Sequence, residues 1–216
     1  MKADVRVLVL ASSLALMMPF PCGAFEDPLE LPARTSALAP KAPLNGVALA
    51  GNRLVAVGKR GFILYSDNSG VTWTQSSSVP VSSDLTAVYF FSPQKGWAVG
   101  HDGVVLSSND RGETWVKQLD GRAAVQIMKN YYAAYSPVGM PGGAEAFKQL
   151  QEDVHRFVEE GPDKPFIDVW FENELTGYVV GCFNFIFKTT DGGKNWIPWF
   201  DRTDNPRRLH FNAIHA

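Results

Sequence analysis

Cysteine is nearly missing from this chain, with 2 in 216 residues, Cys22 and Cys182. A single one, Cys182, lies beyond the apolar N-terminal stretch, so a disulfide framework is excluded, and so is a Cys-rich zinc site. Charge of one sign is missing too. Lys and Arg number 20 against 22 Asp and Glu, a formal net charge of −2. That balance excludes a global electrostatic pull toward nucleic acid. No phosphate-cradling glycine loop, nucleophile elbow or Cys/His metal spacing occurs.

One apolar run exists, from Val7 to Phe20, after the basic residues Lys2 and Arg6 and before Pro21-Cys22-Gly23-Ala24. It is short for a membrane span and has the layout of a secretory signal peptide cleaved after Ala24. Residues 1–24 are read as that leader and 25–43 as a Pro/Ala-rich linker.

What the chain has in abundance is one short turn. Ser66-Asp67-Asn68-Ser69-Gly70-Val71-Thr72-Trp73 recurs as Ser108-Asn109-Asp110-Arg111-Gly112-Glu113-Thr114-Trp115 and as Thr189-Thr190-Asp191-Gly192-Gly193-Lys194-Asn195-Trp196. The glycine supplies a positive φ without a Cβ clash. The Asn or Asp two residues earlier can accept backbone N–H bonds. The tryptophan opens the next strand with a large apolar area. The structural set is therefore Ser66, Asn68, Gly70, Trp73; Ser108, Asp110, Gly112, Trp115; and Thr189, Asp191, Gly193, Trp196.

The flanks repeat as well. LNGVALAGNRLVAVGKRGFILY, LTAVYFFSPQKGWAVGHDGVVLS and FIDVWFENELTGYVVGCFNFIFK each read as three short strands ahead of the box, with a fourth after the tryptophan. Gly70 and Gly112 are 42 residues apart and Gly112 and Gly193 are 81 apart, about two periods. Four short strands on a period of roughly 40–50 residues is the unit of a β-propeller blade.

The boxes resemble the Asp-boxes, or BNR repeats, of sialidase-like propellers. With the turns Val57-Gly58-Lys59-Arg60-Gly61 and Val99-Gly100-His101-Asp102-Gly103, the whole blade resembles the photosystem II stability and assembly factor family more closely. That resemblance covers about residues 44–120 and 166–200. In the third copy, Val180-Gly181-Cys182-Phe183-Asn184, Asn stands in the glycine position and tolerates φ > 0.

The fold class is therefore all-β, a propeller of four-stranded Asp-box blades with a helical insertion. Blades one and two occupy 44–120, the insertion 121–165, blade three 166–200, and 201–216 reads as the start of a further blade. A propeller closes with at least about four blades, so the expectation is part of a larger ring. Within the insertion, Ala123 to Tyr135 and Ala144 to Glu160 read as helices. Phe147, Leu150, Val154, Phe157 and Val158 form an apolar face on the second.

Strand order places the insertion on the same face as the turns between second and third strands. Lys59, Arg60, His101, Asp102, Phe183 and Asn184 are the candidate partner-binding residues on that face. No catalytic residue, cofactor site or metal site is predicted. Arg53, Arg122, Tyr131 and Glu172 occur singly, without a pairing that would make glycosidase chemistry. Glu152 with His155 is too small a set for a metal. The resemblance implies an exported, non-catalytic scaffold, in the periplasm or in a thylakoid lumen. Its partner is a membrane protein complex, photosystem II in photosynthetic relatives, with no nucleic acid and no small-molecule substrate. The alternative is a sialidase-like glycosyl hydrolase or a carbohydrate-binding propeller.

Overall fold

The computed structural model describes residues 26–136, 143–205 and 207–215. The leader expected at 1–24 and the Pro/Gly stretch at 137–142 lie outside the described residues. Within them stand three four-stranded antiparallel sheets, each in simple up-and-down order. Blade one is β1 (Leu44–Ala50), β2 (Arg53–Gly58), β3 (Ile63–Ser66) and β4 (Thr74–Gln75). Blade two is β5 (Leu85–Phe90), β6 (Gly96–Gly100), β7 (Val105–Ser108) and β8 (Val116–Leu119). Blade three is β9 (Phe166–Phe171), β10 (Gly177–Gly181), β11 (Ile186–Thr189) and β12 (Ile197–Pro198). This is an incomplete β-propeller.

The three boxes close in the same way. The Ser66, Ser108 and Thr189 hydroxyl oxygens each accept the glycine N–H four residues on, at 2.9 Å. Each hydroxyl donates to Oδ1 of the Asn or Asp two residues on, at 2.8–2.9 Å. That Oδ1 also accepts the N–H of Thr72, Thr114 or Asn195 at 2.9–3.0 Å. The glycines sit at φ 85°, 83° and 87°, where a side chain is disfavoured. Trp115 and Trp196 are buried, whereas Trp73 is only half-buried.

The repeat explains that difference. Val88 and Phe90 of β5 pack on Val55, Val57 and Ile63 of blade one. Val169 and Phe171 of β9 pack in turn on Trp97, Val99 and Val105 of blade two. At that second seam the Trp97 and Phe171 rings stack 3.4 Å apart. The blade-one counterparts of the packing pair, Val47 and Leu49, are exposed, since no described residue stands in front of them as a neighbouring blade. On the box side, Arg53 is 6% exposed. It holds Asp67 through two bonds of 2.8 Å and reaches Glu113 of the next blade at 2.9 Å.

The insertion is part of the core. Asp120 caps α1 (Gly121–Ala133) by accepting the Ala123 N–H at 3.1 Å. Ala124, Met128 and Tyr132 of α1, with Leu150 and Phe157 of α2 (Gly143–Glu160), join the cluster that holds blades two and three together. Phe147 and Val154 pack at its margin.

Residues 26–43 are folded onto the blades. Leu29 and Ala39 are buried, the Ala33 N–H bonds the Val79 carbonyl, and the Ser82 N–H bonds the Pro28 carbonyl. At the other end, residues 203–205 and 207–215 form no strand. They follow the turn of blade three, with the Phe211 N–H on the Gly181 carbonyl and the Ile214 N–H on Asp168.

Candidate functional site

The face opposite the boxes carries the three turns between second and third strands, and all three share one backbone shape. Two consecutive residues are left-handed in each: Arg60 and Gly61 at φ 58° and 70°, Asp102 and Gly103 at 57° and 63°, Phe183 and Asn184 at 57° and 67°. The helical insertion lies on this face. A Cβ on Gly121, the first residue of α1, would meet the Asp102 carbonyl at 2.9 Å.

In blade one the turn presents cations. Lys59 bonds Asp84 at 2.7 Å, and the Arg60 N–H bonds the other Asp84 oxygen at 2.8 Å. Burial pushes the Asp84 carboxyl up, but those two bonds and the Lys59 charge outweigh it and hold it below the ordinary aspartate range. The Lys59 and Arg60 side chains remain exposed. Two adjoining hollows open beside them. One, of about 490 Å³, is lined by Leu31, Pro32, Arg34, Arg60 and Phe62. The other, of about 620 Å³, is lined by Leu38, Lys41, Lys59, Arg60, Phe62 and Asp84. Arg34 and Lys41 come from the N-terminal segment, which sequence reading took for a linker. No sequence periodicity marks it, because it makes no element of its own there beyond a single 3-10 turn.

In blade two, His101 is exposed and Asp102 accepts the Ser83 hydroxyl at 2.7 Å. In blade three the two candidates part company. Phe183 is 47% exposed, whereas Asn184 is buried and its side chain is fully engaged. Asn184 Nδ2 donates to the Phe200 carbonyl, and Oδ1 accepts from Thr203 and Asn205. Asn184 is therefore a framework residue and presents nothing to a partner. The neighbouring Cys182 thiol is pushed up by burial, against a weaker pull from Lys164, so it is held as a neutral thiol.

Other sequence candidates are dispersed. Arg53 is locked on the box side, while Arg122 pairs with Asp27 and Glu30 at the start of α1. Glu172 follows β9 on the box side. His155 faces Glu159 at 3.4 Å, and among the described residues no three His, Cys, Asp or Glu come together as a metal site. The tryptophans free of the boxes have neighbours on their rings. Trp97 carries Phe171 and Lys95, Trp170 lies against Tyr178, and Trp199 has Lys188 and Arg202 each at 4.4 Å.

The fold and this face define three blades of a β-propeller with a helical insertion on their turn side. No family model matches the chain, and no curated protein matches it. Among solved structures, the chain is similar to YCF48 bound to a D1 peptide, at 17% identity and a TM-score of 0.47. It is similar to YCF48 from Cyanidioschyzon merolae at 20% and 0.46. It is also similar to an ancestral GH74 enzyme at 14% and 0.43. Each match covers 73% of this chain, and the chain spans 40% of either YCF48 chain and 20% of the enzyme.

Proposed function

We propose that this chain is an exported, non-catalytic scaffold that holds a membrane protein complex, or one of its subunits, by its turn face. The observation that carries the reading is the blade-one turn. Lys59 and Arg60 stand exposed on a backbone fixed by Asp84, beside apolar-floored hollows that include Phe62. A rigid scaffold with exposed cations around an apolar floor suits a protein segment that brings both carboxylates and apolar side chains. The resemblance of the repeats to the photosystem II stability and assembly factor family supplies the class of client.

The test is a crosslinking pull-down from membranes with the chain as bait, run beside the Lys59→Glu, Arg60→Glu double variant. Wild type is expected to recover subunits of one membrane complex. The double variant is expected to lose them while remaining folded, with a melting temperature lowered only by loss of the Lys59–Asp84 pair. Undiminished recovery by a folded double variant would sink the proposal.

A further inference from the structure

Phe183 is a large apolar side chain exposed at a left-handed turn position. Its φ of 57° is a left-handed backbone, disfavoured for a bulky side chain. The same position carries Arg60 and Asp102 in the other blades. The ring is 47% exposed, and the aromatic ring it meets is that of His210, at 4.5 Å, itself on the surface. The backbone shape is common to the three turns, so what sets this one apart is the exposed aromatic side chain it carries.

Two other apolar side chains stand out on the same face. Leu209 is 52% exposed, and its carbonyl accepts the Asn184 N–H, which places it beside Phe183. Leu38 is 66% exposed on the rim of the hollow that holds Lys41, Lys59 and Arg60. Among the described residues, Arg34, Lys41 and Arg60 have no ion pair within 4.0 Å. The apolar groups sit at separate tips, on blade three and on the N-terminal segment, and do not line one groove. Separate apolar tips with uncompensated cations on one face match a broad partner that is apolar inside and anionic at its surface.

We propose that the turn face rests on an anionic lipid bilayer. Phe183, Leu209 and Leu38 enter the boundary between headgroups and acyl chains, while Arg34, Lys41 and Arg60 meet lipid phosphates. Apolar insertion and cationic attraction are each marginal alone and stable together. The contact does not depend on a protein client.

The experiment is co-sedimentation of the chain from residue 25 onward, without the apolar leader, with vesicles of pure phosphatidylcholine and of phosphatidylcholine mixed with phosphatidylglycerol. Binding is expected on the mixed vesicles only, and it falls as salt rises. Phe183→Gly removes the ring and relieves the backbone, so its melting temperature holds or rises while its bound fraction drops severalfold. Lys41→Glu lowers the partition coefficient by roughly tenfold or more, from about 1 kcal/mol per charge near an anionic surface. No binding to the mixed vesicles, equal binding to both kinds, or undiminished binding by Phe183→Gly each overturns the proposal. Capture of a client in detergent without vesicle binding also overturns it, and leaves the client reading standing.

Discussion

The Tyr132 hydroxyl donates to the Asp201 carboxylate at 2.6 Å, and Tyr135 donates to its other oxygen at 2.9 Å. The Asp201 side chain is almost wholly enclosed. Burial, and then the bond to Asp201 and its charge, push the Tyr132 phenol far above its ordinary range, so it stays a donor at any working pH. This carboxylate ties α1 to the residues that leave blade three. Asp201→Ala orphans two hydroxyls, one of them buried, and is expected to cost about 1–3 kcal/mol. Asp201→Asn, which keeps an acceptor, is expected to lose less. Urea denaturation midpoints check both, and an unchanged midpoint for the alanine variant would remove the tie from the argument.

Acid should act unequally on the three boxes. Burial pushes the Asp110 carboxyl up, but the bonds from the Thr114 hydroxyl and N–H and from Ser108 outweigh it, leaving it below the ordinary aspartate value. Asp191 follows the same balance, with Asn195 and Thr189 as donors. A carboxylate lowered in the folded state stabilises fully above its unfolded value, and the contribution is lost as pH falls through the folded value. The window therefore opens below about pH 4. Box one has Asn68 at this position, an amide that does not titrate. Amide exchange of Thr114 and Asn195 is expected to gain more than that of Thr72 as pH falls through that window, after correction for intrinsic rates. Equal gains at all three amides contradict this.

The second strands of blades two and three begin at glycines covered by rings. A Cβ on Gly177 would lie 2.4 Å from the Phe171 ring, and one on Gly96 would lie 2.6 Å from that of Phe90. Phe171 cannot swing away, because its other side stacks on Trp97. Gly177→Ala is therefore an overpacking change, expected to cost about 1–3 kcal/mol. Gly177→Ala combined with Phe171→Leu is expected to recover part of the loss. A thermal melt of the single and double variants decides it, and a single variant as stable as wild type refutes the contact.

Much of this architecture is legible in sequence because it repeats. A box spans eight residues, and its bonds run two to four positions along the chain, so one pattern exposes them three times. The second helix is legible from the spacing of Leu150, Val154 and Phe157, and the first from a run of helix formers without a breaker. What escaped was long in range or unrepeated. Arg53 joins Asp67 and Glu113 across a seam, 14 and 60 residues away. The N-terminal segment is placed by backbone bonds to Val79 and Pro28's partner Ser82, which leave no periodic trace. The first left-handed residue of each turn, Arg60, Asp102 or Phe183, has no glycine to announce it.

Asn184 shows the same limit, and it can be tested. Sequence alone reads it as a tolerable substitute for glycine at positive φ, a backbone role. The structure adds bonds from its buried side chain to Phe200 at 3.2 Å, Thr203 at 2.9 Å and Asn205 at 3.1 Å. The two roles respond oppositely to Asn184→Gly. If only the backbone mattered, glycine would match or improve stability, since it is the most permissive residue at φ 67°. The side-chain bonds make the opposite outcome the expected one. Their loss leaves the Phe200 carbonyl without this donor and frees residues 203–205, for a net cost of about 1–3 kcal/mol. Asn184→Asp keeps Oδ1 for Thr203 and Asn205 but replaces the donor to Phe200 with a charge facing a carbonyl, so it is expected to cost at least as much. Chemical denaturation ranks the three proteins. Glycine at or above wild type would return Asn184 to a purely conformational role.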